Sequence, residues 1–136
     1  MFPDLPFEFV VNGTAVSHQA KRPESRAQWR QRIRDAARQL LPEGHFALEE
    51  PVAVTIYFFP QAEMQADIDN CAKPILDALG QFIYLDDKQV DRLVVQKFEP
   101  DRPLEITDQP TKFLAIALAA EHPMVYINVR TNLRGE

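Results

Sequence analysis

One stretch, residues 67–90 (DIDNCAKPILDALGQFIYLDDKQV), restricts the fold more than any other part of the chain. Ile68, Ala72, Ile75, Leu76 and Leu79 recur at helical spacing and form one apolar face. Asp69, Lys73 and Asp77 stand at i, i+4 and i+8, so they share a different face. A helix is expected over 69–79, with Asp67 at its entrance and Gly80 just beyond its end. Pro74 is tolerated if that helix begins near Asp69 or Asn70. The apolar segment 82–85 then carries the chain back past the helix start and brings Asp86 and Asp87 to the same lysine. Such a segment folds only if its apolar face is buried and its crowded acids are compensated.

Compensation suggests a chemistry. Unpaired, a set of close carboxylates costs several kcal/mol in repulsion and desolvation. A divalent cation relieves that cost, and Mg²⁺ prefers hard oxygen ligands and keeps some of its waters. Such an ion makes a hydroxide nucleophile available near neutral pH and neutralises a phosphodiester. Lys73 would add a positive charge at the phosphate or the leaving oxygen. Plainer readings stand beside this one. Asp67 or Asp69 can be a helix cap, and Asp86 and Asp87 an exposed turn. Asp77 reads as a surface residue or a partner of Lys73 rather than a ligand. Cys71 reads as a small packed side chain, and His18, His45 and His122 show no metal-ligand spacing.

The rest of the chain supplies a modest α/β frame. Its 136 residues suit one domain, 1–136, with a real core. Strands are expected over 7–11, 52–59, 93–98 and 125–129, and a helix over 24–41. The helix carries an apolar stripe of Trp29, Ile33, Ala36, Ala37 and Leu40 and is stopped by Pro42. Residues 113–120 (FLAIALAA) fit a strand or a short buried helix equally well. Residues 100–110 read as an acidic, proline-bearing connection. The fold class expected is α/β of the α+β type, a small mixed β-sheet packed with two helices. No apolar run is long enough to span a membrane, the N-terminus lacks the basic region of a signal peptide, and one cysteine excludes an internal disulfide framework. A cytoplasmic protein is the default expectation.

Charge is unevenly placed. The chain carries −5 overall, yet residues 20–45 hold seven bases against three acids, a net of +4, which leaves −9 elsewhere. Two faces with different partners are implied, one for phosphate and one for cations. Arg26, Arg30, Arg34 and Arg38 repeat every four residues opposite the Trp29–Ile33–Leu40 face, and Lys21 and Arg22 extend the series into the preceding loop. The series reads either as a phosphate-tracking ridge or as an ordinary solvated helix face.

Asp67-Ile-Asp69-Asn70-x-x-Lys73-x-x-x-Asp77-Ala78-Leu79, followed by Tyr84-Leu85-Asp86-Asp87-x-Gln89-Val90 and Val94-Val95-x-Lys97, resembles the RusA family of Holliday junction resolvases. The resemblance is strong over 54–97 and weak over the N-terminal third. It implies a RusA-like fold and a homodimeric, Mg²⁺-dependent endonuclease that resolves four-way DNA junctions by paired cleavage. It implies metal-ligand roles for Asp67, Asp69 and Asp87, with Asp86 as the further candidate, and a catalytic role for Lys73 beside those three. DNA contact would fall to Lys21, Arg22, Arg26, Arg30 and Arg34. One departure is clear: the family's basic run before the first aspartate is replaced here by residues 61–66 (QAEMQA), with no base. Two other functions remain open from sequence. One is a branched-DNA-binding repair or phage protein without cleavage; the other is a nuclease for a different structured nucleic acid.

Overall fold

The computed structural model describes residues 1–101, 109–121 and 123–131. Its elements run β1 (Phe7–Asn12), α1 (Pro23–Arg38), β2 (Val52–Phe59), α2 (Ile68–Leu79), a 3₁₀ turn (Asp87–Gln89), β3 (Val90–Lys97), α3 (Lys112–Ala119) and β4 (Met124–Thr131). The strands form one mixed sheet in the order β1-β4-β2-β3. β4 runs antiparallel to both β1 and β2, whereas β3 runs parallel to β2. A parallel neighbour requires a crossover, and α2 is that crossover.

Strand position explains strand composition. β2 and β4 are central, so both their faces are covered and they read as nearly unbroken apolar runs. β3 is an edge strand and is mostly exposed, which is why its sequence is the most polar of the four. It begins at Val90 rather than at residue 93, because Val52 pairs with Val90 before an irregularity that leaves Asp91 without a partner. One sheet face packs Phe9, Val54, Ile56, Phe58 and Ile127 against Trp29, Ile33 and Ala37 of α1 and Cys71, Ala72, Ile75, Ala78 and Leu79 of α2. Each large side chain so buried contributes about 1.5–3 kcal/mol. The other face is covered by Leu114 and Ala117 of α3, packed with Met124 and Tyr126.

Residues 113–119 are therefore helical, and the sheet is flanked by three helices among the described residues rather than two. Thr111 caps α3, its Oγ1 accepting from Leu114 N at 3.2 Å. Helix α1 starts with Pro23 at its first turn, where proline is favoured, and ends at Arg38. Leu40 lies past that end and is 47% exposed, so it leaves the apolar stripe. Most of the 100–110 connection, residues 102–108, falls outside the described residues, as do His122 and residues 132–136. At the β1 turn, Gly13 has φ +145°, and a Cβ there would meet Trp29 at 3.0 Å, so both conformation and packing demand glycine.

α2 begins earlier than the sequence suggests, at Ile68, which puts Pro74 inside the helix. A proline there cannot donate to the carbonyl four residues back, that of Asn70. In its place His18 N donates to Asn70 O at 2.7 Å. The defect in α2 thus docks the loop that follows β1. At the opposite end of α2, Arg34 Nε donates to Ala78 O at 2.9 Å and Arg34 Nη2 to Asp77 O at 3.3 Å. A cation at terminal helix carbonyls is well placed, and here it also ties α1 to α2.

Arg34→Ala is expected to lower stability by about 1–3 kcal/mol in urea titrations, because two carbonyls lose a charged donor. Arg34→Lys should recover only part of the loss, since an ammonium lacks the planar fork. A second expectation concerns alkaline pH. Burial, with a hydrogen bond to Glu8, pushes the Tyr126 hydroxyl up to about 12. Burial also raises Tyr84, with Asp87 and Asp77 adding to it. The ordinary tyrosine value is about 10. The folded chain therefore keeps protons that the unfolded chain releases, and stability present below pH about 10 declines as pH rises toward about 12. Urea midpoints at about pH 9 and about pH 11 should show the fall, and it should be shallower in Tyr126→Phe.

Candidate active site

The exit from α2 builds the site. Gly80 follows the helix in an extended conformation, and the left-handed residue is the next one, Gln81, with φ 62°. Ile83 N donates back to Leu79 O at 2.8 Å and Gln81 N to Tyr84 O at 2.6 Å, which closes a tight turn. Ile83 and Tyr84 are completely buried, and the Tyr84 hydroxyl donates to Leu76 O at 3.3 Å. The apolar segment 82–85 therefore folds beneath the end of α2 instead of passing its start. Ile83 and Tyr84 are core, while Phe82 is half-buried, packed edge-on against His45 at 5.1 Å and under the Arg38 guanidinium at 5.2 Å.

This turn delivers Asp87 to the middle of α2. Lys73 Nζ donates to Asp77 Oδ1 at 2.9 Å and to Asp87 Oδ2 at 3.4 Å. The Asp77 bond, above all, raises the Lys73 pKa, with Asp87 contributing. The side chain is therefore an ammonium throughout the neutral range, a donor and a positive charge rather than a proton acceptor. These groups are between a third and a half exposed. Pairs of that kind are worth at most about 1 kcal/mol, too little for stability to be their main consequence.

The other predicted acids take two different positions. Asp67 occupies the N-cap of α2, but its carboxylate does not cap. Asp69 lies in the first turn, and neither carboxylate has a hydrogen bond or ion pair among the described residues. Both lie near Cys71, whose buried thiol is pushed up first by burial and then by these two charges, so it stays a protonated, packed group. Asp86, in contrast, is used by the backbone. Its Oδ1 accepts from Lys88 N at 2.9 Å, while Gln89 Oε1 accepts from Leu85 N and Asp86 N at 2.8 Å. Gln89 Nε2 also donates to Leu48 O at 2.8 Å and to Glu50 O at 2.9 Å. The Asp86-x-x-Gln89 spacing is a capping box, and that signal was available in the sequence.

Among the described residues no three His, Cys, Asp or Glu side chains converge closely enough to enclose a metal ion. Asp77 and Asp87 meet at Lys73, while Asp67 and Asp69 stand one to three turns up the helix. The donor chemistry still suits Mg²⁺, which takes hard oxygens, often only one or two carboxylates, and fills its octahedron with water. Asp67 and Asp69 have their oxygens unspent, and the positive charge now on Asp87 is a movable side chain. An open cavity of about 290 Å³ lies between Arg34, Asp77, Gly80, Gln81, Asp86 and Asp87. A second hollow, about 360 Å³, lies under residues 60–66, has Cys71 and Phe58 in its wall and is mainly apolar.

That loop, residues 60–66, leads into Asp67 and is held from below. Glu99 is 6% exposed, and its Oε2 accepts from Met64 N at 2.8 Å while Oε1 lies 3.4 Å from Lys97 Nζ. Nothing in the sequence around Glu99 signals this role. The α1 arginines have divided uses. Arg34 is committed to α2, Arg38 bonds Asp35 Oδ1 at 3.0 Å, and Arg26 donates to Ala20 O. Arg30 has no hydrogen bond or ion pair among the described residues, and Lys21 and Arg22 are exposed at the start of α1.

Among the described residues no helix is long and apolar enough to cross a membrane. Comparison with curated proteins finds no match. Comparison with family models finds one, described as endodeoxyribonuclease RusA, over residues 8–107. That match spans β1 to β3 and takes in α2, Lys73, all the candidate acids and the arginine helix. The chain belongs to the RusA family of endodeoxyribonucleases.

Proposed function

We propose that this protein is a Mg²⁺-dependent endonuclease that resolves four-way DNA junctions by paired phosphodiester hydrolysis, acting as a homodimer in the cytoplasm. The observation that carries the reading is the Lys73 ammonium held beside Asp87 on the same helix that presents the unspent carboxylates of Asp67 and Asp69. Asp67, Asp69 and Asp87 would hold the cation, with Asp86 the least available because it caps the 3₁₀ turn. When bound, the ion would neutralise phosphodiester charge and make hydroxide available near neutral pH. Lys73 stays protonated and donates to a phosphate oxygen or to the departing oxygen. The exposed bases Lys21 and Arg22, with Arg30, supply sequence-independent contact to the backbone phosphates.

Pairing follows from the substrate. A junction resolved without a gap needs matched nicks in two strands related by an approximate twofold axis, and one chain offers one carboxylate set. An isologous dimer places two such sets most simply.

The deciding test incubates the purified chain with a synthetic four-way junction in Mg²⁺ and in EDTA. Paired cleavage is expected only with the ion. Asp67→Asn, Asp69→Asn and Asp87→Asn should each abolish cleavage while junction binding survives or tightens, and Lys73→Ala should stop turnover without loss of metal binding. Full activity in any two of the aspartate variants would remove the metal assignment. Light scattering at micromolar concentration should give about twice the chain mass. Lys21→Ala, Arg22→Ala and Arg30→Ala should each flatten the salt dependence of DNA binding by up to about 0.9 in the log–log slope. An unchanged slope would return these residues to an ordinary solvated face.

A further inference from the structure

The family motif includes Asp77, yet the chemistry above gives it no part. The geometry points to Asp77 as a positioning residue that holds Lys73 clear of Asp87 when a cation binds there. The inference rests on the proposed metal-dependent reaction and deepens it.

Lys73 Nζ is shared unequally, 2.9 Å from Asp77 Oδ1 and 3.4 Å from Asp87 Oδ2. The stronger partner is the one on its own helix, four residues on, where a Lys–Asp pair is held by helical geometry. Asp77 is in turn fixed, since its backbone carbonyl accepts from Arg34 Nη2. Asp87 sits on a separate element, the 3₁₀ turn, and carries the longer contact. A cation arriving at Asp87 repels the ammonium. With Asp77 present, Lys73 gives up the 3.4 Å contact, keeps the 2.9 Å one and stays at the site as a charged donor. Without Asp77, Asp87 is its only acidic partner among the described residues. Lys73 then competes with the cation for that carboxylate, and when displaced it has nothing to hold it.

Asp77 therefore affects metal affinity and turnover together, and only through Lys73. Calorimetric titration of the full chain with Mg²⁺ is expected to show Asp77→Asn binding up to about fivefold more weakly, the range open to one exposed ion pair. Lys73→Ala should bind as tightly as the parent or more tightly, because the competitor is gone. In the double variant most of the loss caused by Asp77→Asn should vanish. On the junction, Asp77→Asn should lower kcat with KM little changed, and Asp77→Glu, which keeps the charge, should recover part of the rate. Unchanged Mg²⁺ affinity and kcat in Asp77→Asn would overturn the inference. So would an equal loss in the Lys73→Ala background, which would make Asp77 a ligand or a distant charge. If Asp77→Asn fails to fold, the Asp77→Glu and Lys73→Ala titrations decide: affinities below the parent in Lys73→Ala contradict the competition. A parent protein that binds Mg²⁺ but does not cut the junction would defeat the nuclease reading alone, since the titrations judge Asp77 independently.

Discussion

The shared ammonium of Lys73 is the contact around which the candidate site is arranged. Asp77 and Asp87 meet at this cation, which donates to both. For Asp87 to be there, the chain must reverse within a few residues of the end of α2. That reversal requires Ile83 and Tyr84 to enter the core and Gln81 to adopt a left-handed conformation. For Lys73 to face Asp87, the opposite face of α2 must be buried against the sheet, as Ile75, Ala78 and Leu79 are. The ion pairs themselves stabilise little. The apolar burial on both sides of them carries the free energy, and the charges are positioned by it.

Two irregularities in α2 connect this acidic helix to the basic part of the chain. Pro74 withholds a donor from Asn70 O, and His18 of the β1–α1 loop supplies one. The last carbonyls of α2 are met by Arg34 of α1. The same helix is thus bound near its start by the loop that leads to Lys21 and Arg22 and near its end by the arginine helix. The uneven charge of the sequence becomes a seam, with carboxylates on one side and bases on the other. On the proposed reading, a polyanion attracted to the bases would be brought against the acids, where a cation would offset the repulsion.

Much of this was legible in the sequence, for stated reasons. Residues 52–59 are bounded by proline at both ends and are β-branched or aromatic at every position except Ala53, and the strand has those limits. The shared face of Asp69, Lys73 and Asp77 followed from helical spacing, and the Lys73–Asp77 pair realises it. Other features were hidden because they depend on partners far along the chain. Residues 113–120 were ambiguous from composition, and the uncovered face of β4 and β2, closed by a helix, resolves them. The interior position of Pro74 depended on a loop more than fifty residues upstream. The reversal under α2 brings Asp87 to Lys73 and Asp77, while Asp67 and Asp69 lie nearer the start of the helix. Periodicity says which residues share a face, but not how far along that face another segment will land.

The arginine series shows how a regular pattern can serve two ends. Its four-residue repeat is what a helix needs to present a continuous charged stripe, and equally what it needs to lay one arginine at each turn against a neighbour. Arg34 and Arg38 point their donors at α2 and at Asp35, while Arg30 keeps its own free of partners among the described residues. A phosphate backbone reads charge at a range of about 8–10 Å, so even committed guanidinium groups contribute to attraction. Only uncommitted ones can form the short contacts that fix register. On the proposed reading, attraction would belong to the whole helix, and positioning to its N-terminal part, Lys21, Arg22 and Arg30. That part adjoins the loop docked on α2 through Asn70, between Asp69 and Cys71. On the proposed reading, that loop would carry phosphate-bound DNA toward the end of α2 where the carboxylates of Asp67 and Asp69 are unspent.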